Sequence, residues 1–127
     1  MQTNTTVVQT FYDSLATGDL AKALSCLDEN IEWITMWDYR ANGRGPDAVA
    51  EGVLKPFVTD WKQAALVPDR FVAQDDSVIS LGRFDLVHAV TGKRAVGRYA
   101  HAWTVKGGRI VRFEQFIDTL AVKNASH

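Results

Sequence analysis

Cysteine, proline and histidine are scarce in this 127-residue chain, with one, three and three copies, and neither sign of charge prevails. The lone Cys26 cannot close an intrachain disulfide, and no basic-then-apolar segment opens the sequence, so the expectation is a cytoplasmic protein. Lys and Arg number 14 against 15 Asp and Glu, and a net charge of −1 lacks the basic excess that nucleic-acid binding requires. No apolar run approaches the roughly 20 residues that cross a bilayer. Neither nucleic acid nor membrane is therefore an expected partner. His88, His101 and His127 form no ligand cluster, so no metal is expected. Gly43-Arg44-Gly45 is too weak a phosphate-loop signal, because Pro46 removes a needed backbone donor and no dinucleotide-binding unit surrounds it. No cofactor follows. The length suits a single domain over residues 1–127 with one hydrophobic core.

What the chain does contain is concentrated between Tyr99 and Asp118, which read as one β-hairpin. A two-residue Gly107-Gly108 turn would pair Trp103 with Arg112 and His101 with Glu114. A three-residue loop, Lys106 to Gly108, with Gly108 in the left-handed position of a glycine bulge, gives a more apolar face and is preferred. That face carries Tyr99, His101, Trp103 and Val105 beside Val111, Phe113, Gln115 and Ile117. Ala100, Ala102, Ile110 and Phe116 then point outward. His101 and Gln115 are polar groups within an apolar face, which marks either a satisfied core or a pocket lining.

Upstream, Val8, Phe11, Tyr12 and Leu15 recur at helical spacing after N-cap candidates Thr3 to Thr6, and Gly18 supplies a stop. Asp19 can cap a second helix with the stripe Leu20, Ala23, Leu24 and Leu27, ending at the polar turn Asp28-Glu29-Asn30. Residues 31–37 read as a strand. Pro46 opens a helical stripe that continues through Val49, Val53, Phe57 and Trp61, with Pro56 expected to kink or split it. Strands follow at about 66–74, 77–90, 94–106 and 109–117, an antiparallel meander whose long members must curve or carry bulges. Asp118-Thr119 can cap a last short helical turn. Helices first and strands last predict an α+β fold: a strongly curved antiparallel sheet forming a cone, closed by the N-terminal helices.

Phe11-Tyr12 with Leu15 to Asp19, Leu81-Gly82-Arg83-Phe84, and the runs Ala100 to Val105 and Gly108 to Phe113 together resemble the SnoaL-like, ketosteroid isomerase-related proteins of the nuclear transport factor two-like superfamily. The resemblance covers about residues 5–122. It implies a cone-shaped α+β barrel, a deep apolar pocket for a small apolar molecule, and a homodimer packed through the outer sheet face. It also implies either a cofactor-independent isomerase, cyclase or epoxide-hydrolase-type enzyme, or a non-catalytic ligand-binding or dimerisation module. Carried over residue by residue, the isomerase tyrosine falls on Phe11, its base aspartate on Thr35, and its second oxyanion donor on His101. The last-strand aspartate of the cyclases falls on Gln115, which cannot be a base. The hydrolase Arg-x-Asp pair is present as Arg83 and Asp85.

The candidate site follows from both readings. His101 is the candidate donor or base, since imidazole titrates near neutrality. Asp85, which shares a strand face with Arg83, is a candidate partner or base. Arg83 and Gln115 are polar anchors, and Trp33, Thr35, Phe57, Trp61, Tyr99, Trp103 and Phe113 are the candidate walls. For each, the competing role is structural: a core histidine bonded to Gln115, a surface salt bridge, or ordinary core packing.

Overall fold

The computed structural model describes residues 3–127. Helix α1 (Asn4–Ala16) starts where Thr3 Oγ1 accepts from the Thr6 amide, and α2 (Leu20–Ser25) starts where Asp19 accepts from the Lys22 amide. Strand β1 (Leu27–Ile34) follows. A helical stretch then runs from α3 (Pro46–Val49) through a π-helical segment at Ala50–Leu54 into α4 (Lys55–Asp60). Strands β2 (Trp61–Gln74), β3 (Ser77–His88), β4 (Arg94–Lys106) and β5 (Arg109–Ile117) complete the sheet, and α5 (Thr119–Ala125) is capped by Asp118. No helix among the described residues is long and apolar enough to cross a membrane.

The sheet order is β1-β5-β4-β3-β2. The meander from β2 to β5 is antiparallel as expected, but β1 joins the β5 edge in parallel, so the unclosed sheet is mixed. The polar stretch Asp28 to Asn30 does turn, but within β1: Asp28 Oδ2 accepts from the Asn30 amide at 2.9 Å, and the register with β5 shifts between Leu27 and Glu32. The helical run divides just ahead of Pro56, as expected: the π-helical segment ends at Leu54, and Pro56 is the second residue of α4, where its missing N–H falls in the first turn. Trp61 opens β2 rather than closing the helix, because it pairs with His88, packs edge-on against that ring at 4.9 Å, and donates to Tyr39 Oη at 3.0 Å. β3 stops at His88, whose Nδ1 accepts from the Val90 and Thr91 amides and holds the turn.

The hairpin register contains one correction. Gly107 and Gly108 have φ of 58° and 77°, the signature of a two-residue I′ turn, so the loop is not three residues long. Lys106 pairs with Arg109 and Val105 with Ile110, but Thr104 pairs with Arg112, leaving Val111 as a bulge. That single extra residue restores the apolar register: Trp103 faces Phe113 and His101 faces Gln115. In consequence Ile110, expected outward, is fully buried, while Val111 is displaced from the inward set.

Further irregularities at Lys62 and Asp69 in β2 bend the sheet. Two glycines let aromatic rings lie across the strands: Gly82 faces Tyr99, and Gly97 faces Phe84. A Cβ on Gly82 would come within 2.5 Å of the Tyr99 ring, and one on Gly97 within 2.6 Å of Phe84. The concave face so formed packs on Val7, Val8, Phe11 and Tyr12 of α1. This packing makes the core, and it stops short of filling the cone.

Candidate functional site

A cavity of about 820 Å³ opens between the concave sheet face and the helices. Trp33, His101, Trp103, Phe113 and Gln115 form its floor. Phe11, Tyr12 and Leu15 of α1 form one wall, and Val53, Leu54 and Phe57 another, with Ala64 to Val67 of β2 at the side. The size and apolar lining are those of a small-molecule site. The aromatic residues form two groups, one in the floor and one at the helical wall. Trp33 stacks on Phe113 at 3.9 Å, Trp103 lies 4.5 Å from Phe113, and Trp37 packs on Phe57 at 5.4 Å.

His101 is held from every side. Tyr99 stacks on its face at 4.0 Å, and Phe113 and Trp103 meet it edge-on at 4.9 and 5.8 Å. Tyr12 Oη lies 2.5 Å from His101 Nδ1 and 2.7 Å from Ser80 Oγ, and Trp103 Nε1 donates to Ser80 Oγ at 2.9 Å. Burial pushes the imidazole down from 6.5 to about 3, so His101 is neutral at physiological pH and a poor base. Burial likewise raises the Tyr12 phenol far above its ordinary value, and Tyr99 is pushed up to about 12, chiefly by the same cause. Both keep their protons.

Among the described residues, five buried polar atoms find no protein partner: Trp33 Nε1, Trp37 Nε1, Tyr99 Oη, His101 Nε2 and Gln115 Oε1. All but the Tyr99 hydroxyl belong to residues that line the cavity. An unpaired buried donor or acceptor costs about 1–3 kcal/mol, so their gathering at one cavity is not a neutral feature of a core.

Several sequence candidates lie elsewhere. Arg83 and Asp85 share a face, as their spacing requires, but it is the outer one: Arg83 pairs with Asp69 at 3.1 Å, and Asp85 with Arg94. The Arg94 guanidinium holds the Asp85 carboxyl below its usual range. Both are surface ion pairs, because β3 turns Phe84 and Leu86 inward. Thr35 donates to the Tyr39 carbonyl and is not in the lining. Trp61 is buried against His88, and Tyr99 lies behind His101 without reaching the cavity. Conversely, the sequence placed Tyr12 in a helix stripe and in a family signature but assigned it no site role, and it marked Ser80 not at all. Their signal was slight: a hydroxyl on the apolar face of α1, and a serine on the inward parity of β3.

The family described as a SnoaL-like domain matches residues 8–113, and the chain belongs to that family. A crystal structure of an NTF2-like protein from Burkholderia thailandensis E264 is 32% identical, with a TM-score of 0.91, covering 100% of this chain and 99% of its own. TerC, co-crystallised with polyporic acid, is 24% identical over 97% of each chain, with a TM-score of 0.85. A SnoaL-like polyketide cyclase from Agrobacterium tumefaciens C58 is 19% identical over 98% of each chain, with a TM-score of 0.78. The last two establish likeness of fold alone. No curated protein matches the chain significantly.

The low imidazole value carries a sign for stability. Between about pH 6.5 and about 3 the unfolded chain binds a proton at this histidine that the folded protein refuses. Stability therefore falls as pH drops through that window. In urea unfolding at pH 7 and pH 4.5, His101→Gln should lose less stability on acidification than the parent protein, whatever its offset at pH 7. An equal loss in both would show that His101 is not held neutral.

Proposed function

We propose that the cavity binds a small, flat, apolar molecule bearing a carbonyl or hydroxyl group, with the aromatic floor as its bed and His101 and Gln115 as its polar anchors. The observation that carries this reading is the set of unpartnered buried polar atoms on cavity-lining residues. TerC, which shares the fold, crystallises with polyporic acid, which supports an organic ligand for this architecture. Binding is favoured over acid–base catalysis. Among the described residues the lining holds no carboxylate, Gln115 stands where the related cyclases place an acid, and His101 is too acidic an imidazolium to serve as base near neutrality. Any reaction here rests on polarisation of an oxygen by His101.

The lining tryptophans supply the readout. 9-Fluorenone should quench tryptophan emission saturably and raise the melting temperature, as a ligand of the native state must. His101→Leu should weaken binding about tenfold, the value of one hydrogen bond of roughly 1.4 kcal/mol. No saturable quenching, or unchanged affinity in that variant, would refute the assignment.

We also infer a homodimer through the outer sheet face. Leu81, Ala100 and Phe116 lie in one cross-strand row of that face, with Val72, Ile79 and Ala102 in the next. Phe116 is 47% and Val72 50% exposed, an apolar patch of the kind that marks an interface. Sedimentation should show a dimer at micromolar concentration and a monomer for Phe116→Glu. A monomeric parent protein would contradict the inference.

A further inference from the structure

The buried chain Trp103–Ser80–Tyr12–His101 has a direction, and the direction follows from donor and acceptor counts. An indole N–H can only donate, so Ser80 Oγ accepts from Trp103. The Ser80 hydroxyl proton must then go to its other neighbour, Tyr12 Oη, and the Tyr12 proton to His101 Nδ1, because Tyr99 Oη, the other group facing the phenol, makes no hydrogen bond. Every hydroxyl and N–H from Trp103 to Tyr12 is then satisfied, and so is His101 Nδ1. In the reverse assignment, His101 Nδ1–H donates to Tyr12 and Tyr12 to Ser80, so Ser80 would accept twice and its own proton would have no acceptor in a fully buried position. The forward arrangement avoids that cost. It leaves Nδ1 as an acceptor and puts the ring proton on Nε2, the atom that has no protein partner. The Tyr12 and His101 rings are near-parallel, 10° apart, with Oη 2.5 Å from Nδ1.

We propose that Tyr12 is a positioning residue: it donates to His101 Nδ1, fixes the imidazole as a neutral Nε2–H donor, and thereby commits the cavity to ligands that present an acceptor oxygen there. The ligand clause rests on the cavity being a ligand site, as proposed above. The chemical class is a flat apolar ketone, or an enolate or phenolate, whose oxygen can accept from Nε2–H. A ligand offering only apolar surface at that end leaves the donor unpaired and is selected against. The Tyr12 ring is part of the cavity wall, but its hydroxyl acts on a ligand only through His101, since it is already committed to Ser80 and Nδ1.

The tautomer can be read without any ligand. Two-dimensional nitrogen–proton NMR of the imidazole at pH 7 should show His101 Nδ1 as the unprotonated nitrogen and Nε2 as the protonated one. Tyr12→Phe should abolish that preference, giving a mixture or the Nδ1–H form. An Nδ1–H tautomer or an imidazolium in the parent protein overturns the proposal. So does an unchanged tautomer in Tyr12→Phe. Should that variant not fold, the parent spectrum decides alone, and Ser80→Ala, which removes the donor behind Tyr12, provides the second comparison. The ligand clause is tested with 9-fluorenone against fluorene, which differ only by the carbonyl oxygen. The ketone should bind at least tenfold more tightly to the parent protein, and its advantage should shrink several-fold in Tyr12→Phe. Equal affinities overturn the selection argument. Binding of neither overturns the cavity reading and the ligand clause with it, while the NMR result stands apart from both.

Discussion

A phenol hydroxyl on the first helix meets an imidazole nitrogen on the fourth strand, and much of the molecule is arranged so that they can meet. Tyr12 and His101 are 89 positions apart in sequence and 2.5 Å apart in space. The bond docks α1 on the concave face of the sheet, and Ser80 and Trp103 extend it across β3 and β4. Such a network stabilises only while each member is satisfied, since a half-paired buried group costs more than an apolar one. The one member left with a free valence is His101, at Nε2, beside the cavity. Structural and functional readings of this histidine are therefore compatible: Nδ1 serves the fold and Nε2 is left for a ligand.

Curvature makes room for that ligand. Ring-over-glycine pairs at Gly82–Tyr99 and Gly97–Phe84 bring large aromatic groups onto the concave face without separating the strands. The bulge at Val111 keeps Phe113 and Gln115 in register with Trp103 and His101. Without the bulge, the I′ turn would place Arg112 opposite Trp103 and Glu114 opposite His101, burying charge in the floor. The helical wall has its own accommodation in the π-helical segment before Pro56, where Gly52 lets the helix approach the Arg40 carbonyl closely.

The meander, the helix caps at Asp19 and Asp118, and the inward placement of His101 with Gln115 were legible in the sequence, because alternation and capping are local patterns. The parallel β1–β5 pairing was not, since nothing in residues 27–34 specifies which edge they join. Arg83 and Asp85 misled for a related reason. Their spacing shows that they share a face but not which face, and the apolar parity of Phe84 and Leu86 determines it. Tyr12 was placed on the correct helix, yet its partner lies far along the chain, where only folding brings Ser80 and His101 beside it. Resemblance to the family pointed to Phe11 at the isomerase tyrosine position; in this chain the neighbouring hydroxyl reaches the imidazole.

Where a ligand's oxygen sits decides whether His101 Nε2 serves the cavity. A crystal structure of the protein with 9-fluorenone is the most direct test. The ring system should lie on the bed formed by Trp33, Trp103 and Phe113, with the carbonyl oxygen within hydrogen-bonding distance of His101 Nε2. A ketone turned the other way, with its oxygen at the mouth beside Lys55 and Thr59 and bare carbon against His101, would contradict that role.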